Sequence, residues 1–170
     1  LCSKYHVAHF INTHTPLRNA YNLYSAMKNA FTELTQYYVV EKNINFVNLT
    51  IEYIYGEKDD NTKFVPFLIE SIIKGKQFKA TSGEQQRDFI YVQDVVKAYM
   101  NVISNIKKIK GYKEFSIGTG KTISLKALSH KIENIIGRKS LVQWGSIPYK
   151  KTEIFLSKAD ISKAQKELKW

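Results

Sequence analysis

HVAHFINT (residues 6–13), LYSAMKNAFTELTQYYVVEK (23–42) and INFVNLTIEYIY (44–55) follow one another along the chain. The first segment is mostly apolar and closes on small polar residues, which reads as a short strand. Pro16 and the polar stretch 18–22 read as the loop after it. In the second segment Leu23, Met27, Ala30, Phe31, Leu34 and Tyr38 recur at spacings of three and four, the period of an amphipathic helix. Asn22 suits an N-cap and Asn43 a stop. The third segment is rich in β-branched and aromatic residues and ends at Gly56, before a polar turn from Glu57 to Thr62. Strand, helix, strand is the repeating unit of an α/β protein.

The same alternation continues downstream. Helical pattern covers Phe64 to Lys74 and closes at Gly75; Phe89 to Tyr91 reads as a strand and Val95 to Ile106 as a helix. Glu114 to Ile117 reads as a strand that runs through Gly118-Thr-Gly120 into a helix from Ser124 to Ile136. A strand near Leu141 to Trp144 and a helix from Lys158 to Leu168 complete the pattern. There is no internal repeat and no low-complexity segment.

Composition narrows the class. At 170 residues, with 44% hydrophobic and 13% aromatic content, the chain is long and apolar enough for a real core. A single cysteine, Cys2, excludes an internal disulfide framework and fits a reducing compartment, so a cytoplasmic location is expected. No apolar run approaches the roughly 18 residues needed to span a bilayer, and no membrane partner is expected. The formal net charge of +11 points to anionic partners. The first residue is Leu1 rather than Met, so the chain is expected to be part of a longer one.

Three motifs invite a chemical reading. Gly118-Thr-Gly-Lys-Thr122 looks like the end of a phosphate-binding loop, but the first glycine of such a loop would fall at Phe115, which leaves a tight strand-to-helix turn. His6 and His9 are three apart, on opposite faces of a strand, and no carboxylate or second cysteine completes a ligand set, so no metal is expected.

The third motif is Tyr24-x-x-x-Lys28. With 11 tyrosines in the chain such spacing arises by chance, and a second pair, Tyr38 and Lys42, does occur. Context separates them: Tyr24 opens its helix a short loop after a strand ending Asn12-Thr-His-Thr15, whereas Tyr38 lies near the helix end and reads as a packing residue. A phenol with the ordinary pKa of about 10 exchanges protons poorly near neutral pH. Residues at i and i+4 share one helix face. An ammonium about 4 Å from a developing phenolate is worth up to about 4 kcal/mol at an effective dielectric near 20. With a hydroxyl from Thr13 at the strand end, this is a constellation for proton transfer coupled to hydride transfer at an alcohol or sugar carbon.

In order along the chain, FINTHT (10–15), NLYSAMKNAF (22–31), NLTIEYIYGEKDD (48–60), SGEQQRDFIYVQDVVKAY (82–99) and FSIGTGKTISLKAL (115–128) resemble the extended short-chain dehydrogenase/reductase family, also called the NAD-dependent epimerase/dehydratase family. The ending KAQKELKW resembles its Leu-Gly-Trp close, with Lys169 in place of Gly. The resemblance implies the C-terminal part of a Rossmann-type doubly wound parallel sheet plus a small α/β substrate-binding lobe. Residues 1–56 would belong to the NAD(P)-binding domain and 57–170 mostly to the lobe, with 89–117 returning to the sheet. The family's glycine-rich dinucleotide turn is absent, so roughly the first half of a typical member is expected to be missing and the chain alone to be inactive.

Details within the family narrow the implication. Sugar 4,6-dehydratases follow the catalytic Thr with an Asp-Glu pair, where this chain has His14-Thr15; many 4-epimerases carry Arg and Asn where it has Thr50 and Tyr53. The pattern is most similar to CDP-abequose synthase-like 4-ketoreductases, which reduce a CDP-linked 4-keto-3,6-dideoxyhexose for lipopolysaccharide O-antigen; a 4-epimerase is the alternative. The resemblance implies that Tyr24 donates the proton and that Lys28 supports it while binding the nicotinamide ribose of NADP or NAD. Thr13, or Thr15 as second choice, would bind the reacting oxygen. Tyr53 would line the substrate site, Arg87 would hold the nucleotide-sugar diphosphate and Lys150 would assist it. An ion pair with Asp88 or Asp94 is the bland alternative for Arg87. The parent is expected to be a homodimer through the Tyr-x-x-x-Lys helix. A basic nucleic-acid-binding module is a reading from another class, disfavoured because the lysines are scattered with no recognisable motif.

Overall fold

The computed structural model describes residues 2, 4–17 and 22–170 of the chain. Its first half forms β1 (His9–His14), α1 (Leu23–Lys42), β2 (Asn45–Ile51), β3 (Tyr53–Tyr55), α2 (Phe64–Lys74), β4 (Gln77–Lys79), β5 (Gln86–Arg87) and β6 (Phe89–Tyr91). Then come α3 (Val92–Asn105), a 3-10 turn (Ile106–Lys108), β7 (Tyr112–Ile117), β8 (Ile123–Ser124), α4 (Leu125–Ile136), β9 (Leu141–Gln143), β10 (Leu156–Ser157) and α5 (Ser162–Leu168). The expected loop over 18–22 lies mostly outside the described residues.

The main sheet is parallel, in the order β1-β2-β7. The central strand β2 is buried from Phe46 to Ile51, as in parallel sheets covered on both faces. On one face Val47, Leu49, Ile51, Phe115 and Ile117 share a core with Val95, Ala98 and Val102 of α3 and with Ala164 and Leu168 of α5. A second, smaller core joins Leu68 and Ile72 of α2 to Ile132 of α4.

Helix α1 covers the other face and has the bounds expected from sequence. Asn22 Oδ1 accepts from the Ser25 amide at 2.9 Å, Ser25 Oγ accepts from the Asn22 amide at 3.2 Å, and Asn43 ends the helix at φ 51°. Its inward face corrects the amphipathic reading: Ser25, Thr32 and Thr35 are buried, while Leu23, Met27, Leu34 and Tyr38 are exposed. The reason is the polarity of the sheet beneath. Asn12 Nδ2 donates to Asn48 Oδ1 at 2.8 Å, and Glu114 accepts from Thr50 at 3.0 Å and from the Tyr112 hydroxyl at 3.1 Å. Burial and the neighbouring Glu114 carboxylate push Tyr112 up to about 12. From the helix, Thr32 Oγ1 meets Nδ1 of His14 on β1 at 3.4 Å, while Thr35 donates within the helix to the Thr32 carbonyl at 2.7 Å. Tyr38, expected as a packing residue, is half exposed and meets the Tyr37 ring edge-on at 5.5 Å.

Other departures are local. The first strand begins at His9, because His6 sits in a turn at φ 54°. No group of three metal-ligating side chains occurs among the described residues. The β-rich run 44–55 divides at Glu52: its amide still bonds the Ile117 carbonyl of the main sheet at 3.0 Å, but the next amide, Tyr53, bonds Asp88 at 3.1 Å, and β3 pairs with β6 instead. The last helix starts at Ser162 rather than Lys158: the Ala159 amide donates to Asp88 at 3.3 Å, and Asp160 Oδ1 accepts from the Ser162 amide at 3.1 Å.

The turn Gly118-Thr-Gly120 wraps a protein carboxylate. Asp88, fully buried, accepts from the Thr119 amide (2.8 Å), the Thr119 hydroxyl (2.6 Å), the Gly120 amide (2.9 Å) and the Ala159 amide (3.3 Å). A Cβ at Gly118 would lie 2.6 Å from both Ala159 Cβ and Asp88 Oδ2, so the close approach requires glycine. Among the described residues no helix is long and apolar enough to cross a membrane.

Candidate active site

Strands β1 and β2 run parallel and finish side by side, His14 next to Thr50. In open parallel sheets ligands sit beyond the carboxyl ends of the strands. There a cavity of about 370 Å³ opens, lined by Thr13, Thr15, Tyr24, Glu52, Tyr53 and Lys63 among others. A groove of about 440 Å³ on the α3 side, beside Trp170, contains none of these residues.

The cap at Asn22 starts α1 so that Tyr24 lies in its first turn, at the cavity, with Lys28 one turn further on. Lys28 Nζ donates to the Thr13 backbone carbonyl at 2.8 Å and stands 5.9 Å from the centre of the Tyr24 ring. Thr13 Oγ1 makes a short hydrogen bond with the Tyr99 hydroxyl of α3. Nothing in local spacing signals Tyr99, which is 86 residues away. Thr15 is buried, and its Oγ1 accepts from the Leu17 amide at 3.3 Å.

Behind the cavity lies a buried ionic cluster. Arg87 is only 6% exposed; Nη2 pairs with Glu153 at 2.8 Å, Nη1 donates to the Gln86 carbonyl at 3.0 Å, and the guanidinium lies 5.2 Å from the Tyr53 ring centre. The partners envisaged from sequence are engaged elsewhere, Asp88 in the glycine turn and Asp94 with Lys97 at 2.8 Å. Arg87 therefore meets the cavity through the Tyr53 ring. Lys150 is exposed and does not line the cavity, although its carbonyl accepts from the amide of Glu153, the partner of Arg87, at 2.9 Å. Burial raises the Tyr53 phenol above its ordinary value, with Arg87 opposing. Burial likewise raises the Glu52 carboxyl; its hydrogen bond from Ser157 opposes that, Asp88 adds to it and Arg87 counters it. Glu52 and Lys63 are cavity residues that sequence reasoning passed over, since neither belongs to a motif with a chemical reading.

Residues 6–118 match the NAD dependent epimerase/dehydratase family. The chain belongs to that family. Among members of the family, it is 37% identical over 150 residues to CDP-abequose synthase of Salmonella typhimurium, covering 86% of this chain and 50% of that one. It is 27% identical over 154 residues to UDP-glucuronate 4-epimerase of Thermodesulfobacterium geofontis, covering 82% of this chain and 46% of the relative. The chain thus spans about half the length of the curated relatives it matches. The fold is the Rossmann-type α/β fold of solved nucleotide-sugar enzymes. The UDP-glucuronic acid 4-epimerase from Bacillus cereus, solved with UDP-glucuronic acid and NAD, superposes with a TM-score of 0.87 at 22% identity, covering 99% of this chain and 58% of that one. The UDP-glucose 4-epimerase from Thermotoga maritima superposes with 0.85 at 23% identity, covering 99% and 60%.

Proposed function

We propose that the protein carrying this chain is a nucleotide-sugar 4-ketoreductase, acting on a CDP-linked 4-keto-3,6-dideoxyhexose with NADP or NAD as the hydride carrier, in O-antigen sugar synthesis. The observation that carries the reading is the convergence of Tyr24, Thr13 and Lys28 at the ends of two parallel strands, in a chain that resembles CDP-abequose synthase.

Each residue has a definite task in this reading. Tyr24 gives its hydroxyl proton to the C4 oxygen as the ketone becomes an alcohol. Lys28 stabilises the phenolate left behind, its ammonium held on the Tyr24 side of α1 by the Thr13 carbonyl. Thr13 hydrogen-bonds the same C4 oxygen. A hydroxyl has one donor and two acceptor sites, so a bond donated by Tyr99 leaves the Thr13 proton for substrate. Thr15 is the alternative donor, and Tyr53 flanks the sugar. Arg87 would hold the diphosphate by exchanging its Glu153 partner for it, and Lys150 would add a second charge from the Glu153 turn.

The donor set suits the nicotinamide-ribose end of a dinucleotide: an ammonium has three N–H donors, and one of those on Lys28 is held by Thr13. The glycine turn at 118–120 is filled by Asp88, so it does not serve a pyrophosphate. When bound, the cofactor supplies the hydride. The exposed apolar residues of α1 support a homodimer built on that helix. The test is to supply the full-length protein with CDP-4-keto-3,6-dideoxyglucose and NADPH. Stoichiometric loss of NADPH is expected. Interconversion of a saturated sugar nucleotide with no net loss of cofactor would make it a 4-epimerase instead.

A further inference from the structure

We propose that Glu52 is a specificity-determining residue: its carboxylate accepts a hydroxyl of a neutral hexose ring in the cavity beside Tyr24 and rejects rings that carry a carboxylate of their own. The proposal rests on the nucleotide-sugar reading above and names the kind of sugar that the site takes.

Glu52 lies where β2 leaves the main sheet, between the last amide bonded to Ile117 and the first bonded to Asp88. Such a divergence opens the crevice in which parallel sheets receive ligands. The side chain is 8% exposed and lines the cavity together with Thr13 and Tyr24. Oε2 accepts from the Ser157 hydroxyl at 2.6 Å, and Oε1 has no hydrogen-bond partner among the described residues. An ionised carboxylate offers about four acceptor sites, so most of its capacity is unspent. Oε1 is left to accept from a ligand in the cavity, and a sugar hydroxyl is a donor of matching size.

The choice between neutral and acidic rings is one this family makes. Its members include a protein named UDP-glucuronate 4-epimerase and another named CDP-abequose synthase. A second carboxylate in a cavity of about 370 Å³ that already holds Glu52 meets like charge at short range. A purely structural Glu52, tying β2 to β10 through Ser157, makes a different prediction, because the oxygen of a Gln accepts that hydrogen bond equally well.

The experiment is calorimetric titration of the full-length protein with CDP, CDP-glucose and CDP-glucuronate, with the UDP series in parallel. For the wild type, the glucose conjugate is expected to bind more tightly than the glucuronate. Glu52→Gln should leave the Kd of the bare diphosphate within about twofold and shift the glucose-to-glucuronate ratio by about tenfold or more toward glucuronate, the scale of a like-charge contact in a partly wet site. Glu52→Asp, which keeps the charge, should keep the discrimination. An unchanged ratio in Glu52→Gln, with diphosphate binding intact, overturns the role of Glu52 alone, as does a Glu52→Asp that behaves like Glu52→Gln. A wild type that binds neither diphosphate series overturns the nucleotide-sugar reading, and this proposal with it.

Discussion

The ammonium of Lys28 is hydrogen-bonded to the backbone carbonyl of Thr13, 15 residues upstream, at 2.8 Å. One bond therefore fixes two things: the direction of the Lys28 side chain on α1 and the position of that helix relative to the end of β1. Tyr24, on the same helix face, is carried to the cavity by this arrangement.

From this follows the first expectation. In the full-length enzyme Tyr24→Phe should lower kcat by about 10²–10⁴, the usual contribution of a positioned acid, with KM changed little. Lys28→Met should cost at least as much, because it removes both the charge and the tie to Thr13. Steady-state kinetics of both variants decides it; a Tyr24→Phe enzyme with full activity would falsify the assignment.

The fold and the site were legible to different depths, for physical reasons. The bounds of α1 could be read because Asn22 and Asn43 act within one turn of the chain. Which face of α1 lies inward could not. Periodicity shows that Leu23, Met27 and Leu34 share a face, but the polarity of Asn12, Asn48 and Glu114, which come from three different strands, decides that Thr32 and Thr35 turn inward. Tyr24 and Lys28 are a local pair and were readable. The Thr13 contact with Tyr99 and the Arg87 pair with Glu153 join residues 86 and 66 positions apart, and no pattern in one sequence announces them. Glu52 was hidden for another reason: the β-rich run through it shows no break, and the change of sheet depends on where β6 and β7 lie.

Asp88 ties the glycine turn, β6 and the segment before α5 together, and each of its oxygens accepts two hydrogen bonds. Asp88→Ala leaves the Thr119, Gly120 and Ala159 amides facing an empty site. The expected loss is about 3 kcal/mol or more, on the scale of breaking a buried hydrogen-bonded charge. Gly118→Ala should destabilise by about 2 kcal/mol, because its new methyl meets Ala159 and Asp88. Urea unfolding midpoints measure both. An Asp88→Ala protein as stable as wild type would show that the turn needs no staple.

Glu133 closes the C-terminal end of α4. It accepts from the Ser140 amide at 3.1 Å and from the Ser140 hydroxyl, with His130 at 3.2 Å and Lys139 at 3.6 Å. Burial alone would raise its carboxyl, but the bonds from Ser140 and His130 prevail and hold it at about 2. The folded value is below the ordinary 4.5, so the charged form stabilises the fold above about pH 4.5, and that contribution is lost as pH falls toward 2. Glu133→Gln should therefore cost about 1 kcal/mol near neutral pH, a figure discounted for the exposure of His130 and Lys139. The gap to wild type should close in acid. Denaturant titrations across that window test this, and a gap that widens on acidification contradicts it.

Helix α1 presents Leu23, Met27, Leu34 and Tyr38 outward along one face, Leu23 at 76% and Leu34 at 61% exposure. Single exposed leucines are ordinary, but a run of apolar side chains along a 20-residue helix is costly to leave in water. In the proposed homodimer a second copy related by a two-fold axis would cover the stripe with the same stripe, since an isologous interface uses one surface twice. Leu34→Glu puts an unpaired charge into that contact. In the full-length protein it should convert a dimer to a monomer in light scattering at micromolar concentration. Leu34 is ten residues beyond Tyr24, about 15 Å along the helix axis, so Tyr24 keeps its place and kcat should stay within about threefold. A Leu34→Glu protein that remains dimeric would move the interface elsewhere, and a wild type that is monomeric at the same concentration would remove it.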